Sequence, residues 1–342
     1  MVTVAIGFVY SLATTLGGVV AVRNLQGKEP ARSSSGKGKA PRKSGSPFSD
    51  DQWSFCWKAA IVMGVASIGA TQLDAKALTS PLQMIFTFLL TITSFIGATR
   101  LPTGFNKVVH PLVTSSAIVL CAFRCLATVN GQDFLRVLRT YKAGSLNPTK
   151  AGAADYLLYI LGPSVVSFAI SVYSRKQMLF SNLPMVLTAM IVSSAGGLFA
   201  TGAFVRLLAV GGNTGNAALV RLSILARNVT TALAMALTQM VGGDLSIVAA
   251  VVCLTGILGA SYGIPLLNAM GITDPILRGL GMGSSAQGLG VTAIAAEPDA
   301  FPFASVSMVL TAVCATTMTS IPFVRDALIQ TTLGSLASPV AA

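Results

Sequence analysis

Charge is scarce in this chain of 342 residues: only 10% are Asp, Glu, Lys or Arg, against roughly 25% in a soluble domain. With 53% hydrophobic residues and a mean hydropathy of +0.73, folding alone cannot hide the apolar surface from water. A soluble globular fold is excluded. Histidine is nearly absent: the single His110 rules out a multi-histidine metal cluster. The 11 acids provide no credible pair inside an apolar segment for acid–base catalysis. No Gly-x-Ser-x-Gly elbow, His-Glu-x-x-His pair or phosphate-binding loop occurs. GLGMGS, at 279–284, has part of a dinucleotide fingerprint but follows no strand and opens no βαβ unit. The five cysteines include no CxxC pair. They read as small packing residues, without a disulfide framework. No run alternates between apolar and polar, which excludes a membrane barrel. No enzyme activity and no cofactor is expected.

What is present is a series of apolar stretches, several reaching the ~20 residues a helix needs to cross a bilayer. They fall at about 3–22, 53–70, 81–98, 109–128, 153–173, 183–208, 216–243, 245–268, 274–295 and 301–323. The pattern predicts an all-α polytopic membrane protein with nine or ten segments, depending on whether 216–243 crosses or re-enters. Seven basic residues crowd positions 23–43 within a Ser-, Gly- and Pro-rich stretch. That composition cannot bury a core and predicts a disordered linker over 23–52. It carries no interleaved aromatic platform, so nucleic acid is not expected as a partner. The expected organisation is a span at 1–22, the linker, a span and connection at 53–80, a transport domain at 81–330 and a flexible tail at 331–342.

Three segments are interrupted. Gly162-Pro163 lies midway along 153–173, and proline removes a backbone donor and disfavours helix just before it. RNVTT, at 227–231, divides two apolar arms. RGLGMGSSAQGLGVTA, at 278–293, holds five glycines. A helix broken in lipid leaves backbone groups that protein, water or substrate must satisfy. Each half-helix N-terminus then suits an anion. Interrupted segments in corresponding positions of two halves point to a transporter site; here 109–208 and 245–323 share such a layout, an expected internal repeat. The candidate substrate residues are Gly162, Pro163, Arg227, Asn228, Thr230, Thr231, Gly281, Gly283, Ser284, Ser285, Gln287 and Gly288. Arg227 either holds a carboxylate through its planar fork or snorkels to the interface. The glycines either line a path or pack helices. Asp274 before Pro275 reads as an N-cap.

LGPSVVSFAISVY, RNVTTALAMALTQMVGG, LTGILGASYGIPLLNAMGITDPILRGLGMGSSAQGLGVTA and FASVSMVLTAVCAT, in that order, resemble the LrgB/CidB family of membrane proteins over about residues 82–325. RLPTGFNKVVHPLVT and EPDAFPFASVSM resemble its plastidal glycolate/glycerate carriers, in which an LrgA-like half precedes the LrgB-like half. Residues 1–22 look like the last span of such a half. The resemblance implies carriage of small organic anions, glycolate and glycerate, across the lipid bilayer of the plastid inner envelope, in photorespiration. Bacterial relatives sit in the plasma membrane and are linked to pyruvate uptake or to holin-like regulation without specific transport. A homodimer built on a scaffold including 53–128 is expected. The family's Gly-rich motif usually carries histidine where this chain has Gln287. Glutamine hydrogen-bonds a carboxylate but takes no proton near neutral pH, so proton coupling is expected to be altered or lost.

Overall fold

A computed structural model describes residues 2–27, 49–73, 75–147, 150–173, 176–212 and 216–334. Among them every regular element is helical. The first are α1 (Val2–Leu25), α2 (Asp50–Gln72), α3 (Lys76–Thr99), α4 (Thr103–Val108), α5 (Pro111–Val129), α6 (Phe134–Thr140), α7 (Ala153–Tyr173) and α8 (Lys176–Ser181). Then α9 (Leu183–Ile191) runs through a π-helical turn, Val192–Gly196, into α10 (Gly197–Leu207). The rest are α11 (Ala217–Ile224), α12 (Thr231–Val241), α13 (Leu245–Ala269), α14 (Pro275–Ala293), α15 (Phe301–Ser320) and α16 (Pro322–Leu333).

Among the described residues, seven stretches are long and apolar enough to span a membrane: Thr3–Leu25, Asp50–Gln72, Leu78–Thr99, Pro111–Val129, Leu183–Leu207, Leu245–Ala269 and Phe301–Ser320. The chain is an all-α polytopic membrane protein. Two further segments are discontinuous, as their sequences predict. α11 and α12 have 8 and 11 residues, about 12 and 17 Å at 1.5 Å per residue, each about half of a ~30 Å hydrocarbon core. α14 is divided at Gln287, whose φ of 58° and ψ of −150° are not helical.

The expected break at Gly162-Pro163 is absent: α7 continues as one helix through Pro163. Pro81 in α3 and Pro265 in α13 likewise lie inside their helices. In lipid, keeping the remaining ladder intact outweighs one lost hydrogen bond. The other expected boundaries shift modestly. α2 begins at Asp50, residues 28–48 of the linker lie outside the described residues, and Thr331–Leu333 belong to α16 rather than to a tail.

Contacts divide the chain into two compact units. Lys39–Phe168 forms one; Met1–Gly38 with Ala169–Ala342 forms the other. In the first, α2, α3, α5 and α6 enclose Leu90, Val119, Phe123, Leu126, Ala127 and Val137. Phe123 meets Tyr141 edge-on at 5.4 Å. Gly64 of α2 admits Phe86 of α3; a Cβ there would stand 2.9 Å from Phe86 Cε2. A capping box between Ser49 and Gln52 starts α2. The Asp155 carboxylate accepts N–H bonds from Ala143 and Gly152, both 2.9 Å, and Gly144, 3.1 Å.

The second unit packs α14 between α13, α15 and α1. Phe8, Leu12, Leu16 and Val19 of α1 join its main core. A second core gathers Leu198, Leu222, Leu225, Val229 and Leu237 with Val248. α1, which the sequence set apart as a separate span, is thus buried beside the Gly-rich helix.

Candidate functional site

The three discontinuities of this unit lie together and are tied by polar side chains. Over 225–230 the backbone runs through tight turns: Leu225 N–H reaches Leu222 O at 3.4 Å, Arg227 N–H reaches Ile224 O at 3.2 Å, and Val229 N–H reaches Ala226 O at 3.0 Å. Asn228 Nδ2 donates to Ser193 O at 3.1 Å, inside the π-helical turn. Ser193 Oγ donates to Ser284 O at 3.1 Å, one turn before the break at Gln287. Ser194 Oγ reaches Thr311 O on α15 at 3.0 Å. Ser193 O also accepts Gly197 N–H within the π-helical turn, so the bond from Asn228 is a second one to the same carbonyl. Gly197 makes room for this, since a Cβ on it would lie 2.5 Å from Asn228 Nδ2.

Arg227 is 1% exposed. It does not snorkel. Its Nε donates to Thr201 Oγ1 at 3.0 Å, while Nη1 and Nη2 have no hydrogen-bond partner among the described residues. The guanidinium borders a cavity of about 120 Å3 lined also by Thr3, Ile6, Gly7, Tyr10, Ala200, Thr201 and Phe204. Gly7 permits this arrangement: a Cβ there would stand 2.6 Å from Arg227 Nε and 2.8 Å from Cζ. An unpaired buried cation costs several kcal/mol, and an uncovered guanidinium fork matches a carboxylate.

The other expected residues divide into groups. Gln287 is buried at 4% exposure, and among the described residues neither Nε2 nor Oε1 has a partner. Positive φ in a non-glycine residue costs of the order of 1–3 kcal/mol, so the break is held by its surroundings. Asn228 Oδ1 and Thr311 Oγ1 are also buried without partners. Ser284 and Ser285 turn their hydroxyls back into α14, onto Leu280 O at 2.7 Å and Gly281 O at 2.6 Å. Gly281 faces Leu12 and Leu16 of α1, and Gly283 meets Ala304 O of α15; both bring helices into contact. Gly288 has only Met308 Sδ nearby, 3.9 Å from a built Cβ. Thr230 caps α12 without a side-chain cap bond, and Thr231 is exposed. Gly162 and Pro163 lie in α7, within the other unit.

At the outer end of α14, Asp274 accepts from Ile276 N–H at 2.8 Å, confirming the cap, and pairs with Arg23 at 3.1 Å. Arg278 grips Glu297 through two bonds of 2.7 and 2.6 Å and reaches Asn268 Oδ1 at 2.8 Å. These cations are neutralised; Arg227 is not. Sequence reasoning missed Gly7, Tyr10, Thr201, Ser193 and Ser194 as neighbours of the site. A glycine or threonine in an apolar helix carries no signal of what it faces. SSAGG, at 193–197, is a run of small residues that does not show which neighbour it meets.

The chain is 31% identical over 333 residues to Plastidal glycolate/glycerate translocator 1, chloroplastic, of Arabidopsis thaliana. The match covers 95% of this chain and 61% of that protein, so the chain spans about three-fifths of the relative's length. No solved structure matches. Residues 91–324, which include the 225–230 break and the whole of α14 but not α1, match the LrgB-like family, and the chain belongs to it.

Proposed function

We propose that this chain is a secondary carrier for small hydroxy-monocarboxylates, exchanging glycolate and glycerate across the plastid inner envelope. One observation carries the reading: the buried Arg227 guanidinium, with Nη1 and Nη2 unpartnered beside a 120 Å3 cavity. A carboxylate would remove the cost of the unpaired charge. One water needs roughly 10–15 Å3 of such space, so an acid of two or three carbons is of fitting size. The LrgB-like family and the name of the Arabidopsis relative support the same chemistry.

In this reading Arg227 holds the carboxylate, while Asn228, Thr230, Thr231, Gln287 and the Gly288 backbone line the substrate path. Gly281, Gly283, Ser284 and Ser285 shape α14 around that path. Transport proceeds by alternating access. Gln287 cannot take up a proton near neutral pH, so exchange of one monoanion for another needs no proton gradient.

The test is uptake of radiolabelled glycerate into proteoliposomes preloaded with glycolate, glycerate, pyruvate or buffer, with and without a pH gradient. Uptake should require internal glycolate or glycerate and ignore the gradient. Arg227→Gln should reduce it at least ~30-fold, the scale of losing a buried charge partner, with normal insertion. Arg227→Lys should recover part of it, because lysine keeps the charge without the fork. Absence of uptake under every condition would replace this reading with a regulatory, holin-like role. Uptake without trans-acceleration would replace it with a channel.

A further inference from the structure

The unit formed by Lys39–Phe168 holds a second concentration of unpaired positive charge, independent of the carrier reading. A cavity of about 590 Å3 is lined by Arg136, Arg139 and Lys150, with Gln83, Gln132 and Thr140 among its polar neighbours. Among the described residues no carboxylate lines it. A smaller adjoining cavity shares Arg136 and Arg139 and includes Asp133, the N-cap of α6. Among the described residues neither arginine makes a hydrogen bond or ion pair, and Lys150 makes no ion pair.

The cavity's place along the helices decides what fits. Thr71 lies in the last turn of α2, Thr79 and Ser80 lie near the start of α3, and α6 follows the end of α5. All three mark the same end of their spans, where hydrocarbon gives way to headgroups. The lining continues down α3 from Thr79 to Thr87, about 12 Å at 1.5 Å per residue, and includes the apolar Met84. Within α6, Val137 is buried in the core, while Leu135 is 57% exposed beside the two arginines. A short helix with apolar and cationic residues turned outward suits the membrane interface. Basic pockets between helix ends bind anionic headgroups.

We propose that this cavity binds a phosphate-bearing anion, and that its occupant is the headgroup of an anionic phospholipid. The arginines and Lys150 contact the phosphate, the Thr and Gln side chains contact the headgroup hydroxyls, and the acyl chains follow Leu135 and Met84 into the bilayer.

The chain's only tryptophans, Trp53 and Trp57, both lie in α2, so their fluorescence reports unfolding of this unit. The experiment uses the full chain in detergent micelles doped with phosphatidylglycerol or phosphatidylcholine, or supplied with inorganic phosphate or glycerol phosphate. Phosphatidylglycerol should raise the Tm above the phosphatidylcholine value. Binding should weaken on the order of fivefold for each cation removed. Arg136→Gln with Arg139→Gln should therefore abolish most of the shift. Lys58→Gln with Arg124→Gln, which removes the same charge elsewhere in the unit, should keep it. An equal shift from soluble phosphate would support the phosphate site but make its occupant a soluble anion. No preference for phosphatidylglycerol, or equal losses in the two double variants, would overturn the proposal.

Discussion

Two of the three interrupted apolar segments fold oppositely. α7 contains Gly162-Pro163 and remains one helix. The segment at 216–241 has neither glycine nor proline at its centre, yet it separates into α11 and α12. Intrinsic propensity would rank them the other way, since proline costs ~3 kcal/mol in a helix interior. The difference lies in what receives the freed backbone groups. Around 225–230 tight turns pair the amides of Leu225, Arg227 and Val229, and the Asn228 side chain reaches a carbonyl of a π-helical turn in a neighbouring element. A break in lipid persists where protein surrounds it. The broken segment therefore needs its neighbours, and substitutions in those neighbours should show it.

The largest effect is expected at Gly7, outside the broken segment altogether. Gly7→Ala puts a methyl 2.6 Å from Arg227 Nε, which displaces the guanidinium and costs its bond to Thr201. Uptake should fall at least ~10-fold, and Gly7→Leu, which fills the cavity, should nearly abolish it. Gly17→Ala on the same helix meets nothing within 4 Å and should be silent. Equal uptake in the Gly7→Ala and Gly17→Ala proteins would remove α1 from the site.

Next is Asn228→Ala. It removes the bond from Asn228 Nδ2 to Ser193 O, which keeps its bond from Gly197 N–H; one buried hydrogen bond contributes ~0.5–1.5 kcal/mol. The unfolding free energy of the purified protein should fall by that amount and its Tm with it, with uptake reduced. An unchanged Tm would mean that the break does not depend on its tie to the π-turn.

The sequence made the all-α architecture, the two discontinuous segments and the Asp274 cap legible, because each has a local cause. Apolar runs of spanning length, the polar centre RNVTT, five clustered glycines and Asp-Pro are properties of neighbouring residues. The π-turn at 192–196, the role of Gly7 and the continuity of α7 have distant causes. Ser193 is available to Asn228 only because two elements 35 positions apart meet in the fold. Arg227 was ambiguous for the same reason: whether it snorkels or is buried depends on α1, more than 200 positions earlier in the chain.

The third effect is smaller and tests the other side of the comparison. Pro163→Ala restores a donor to a helix that is already continuous. Stability should stay the same or rise by up to about 1 kcal/mol, and uptake should remain within about twofold of the parent protein. A large loss of uptake would show that α7 contributes to transport through Gly162-Pro163 despite its unbroken helix.

The smallest effect concerns a polar side chain that serves only its own helix end. His110 caps α5 by accepting Leu112 N–H on Nδ1 at 3.2 Å, which requires the neutral ring. Partial burial holds its pKa below the ordinary value of 6.5. Because the unfolded chain then takes up the proton more readily, the stability contributed by the neutral, partly buried ring is complete above about pH 6.5. It declines as the pH falls from there through the folded-state pKa. Tryptophan-detected unfolding of this unit should therefore shift slightly to lower temperature between pH 7.5 and 5.5. His110→Asn retains a capping acceptor that does not titrate, so the shift should flatten in that variant. A slope unchanged by the substitution would assign the pH dependence to another group.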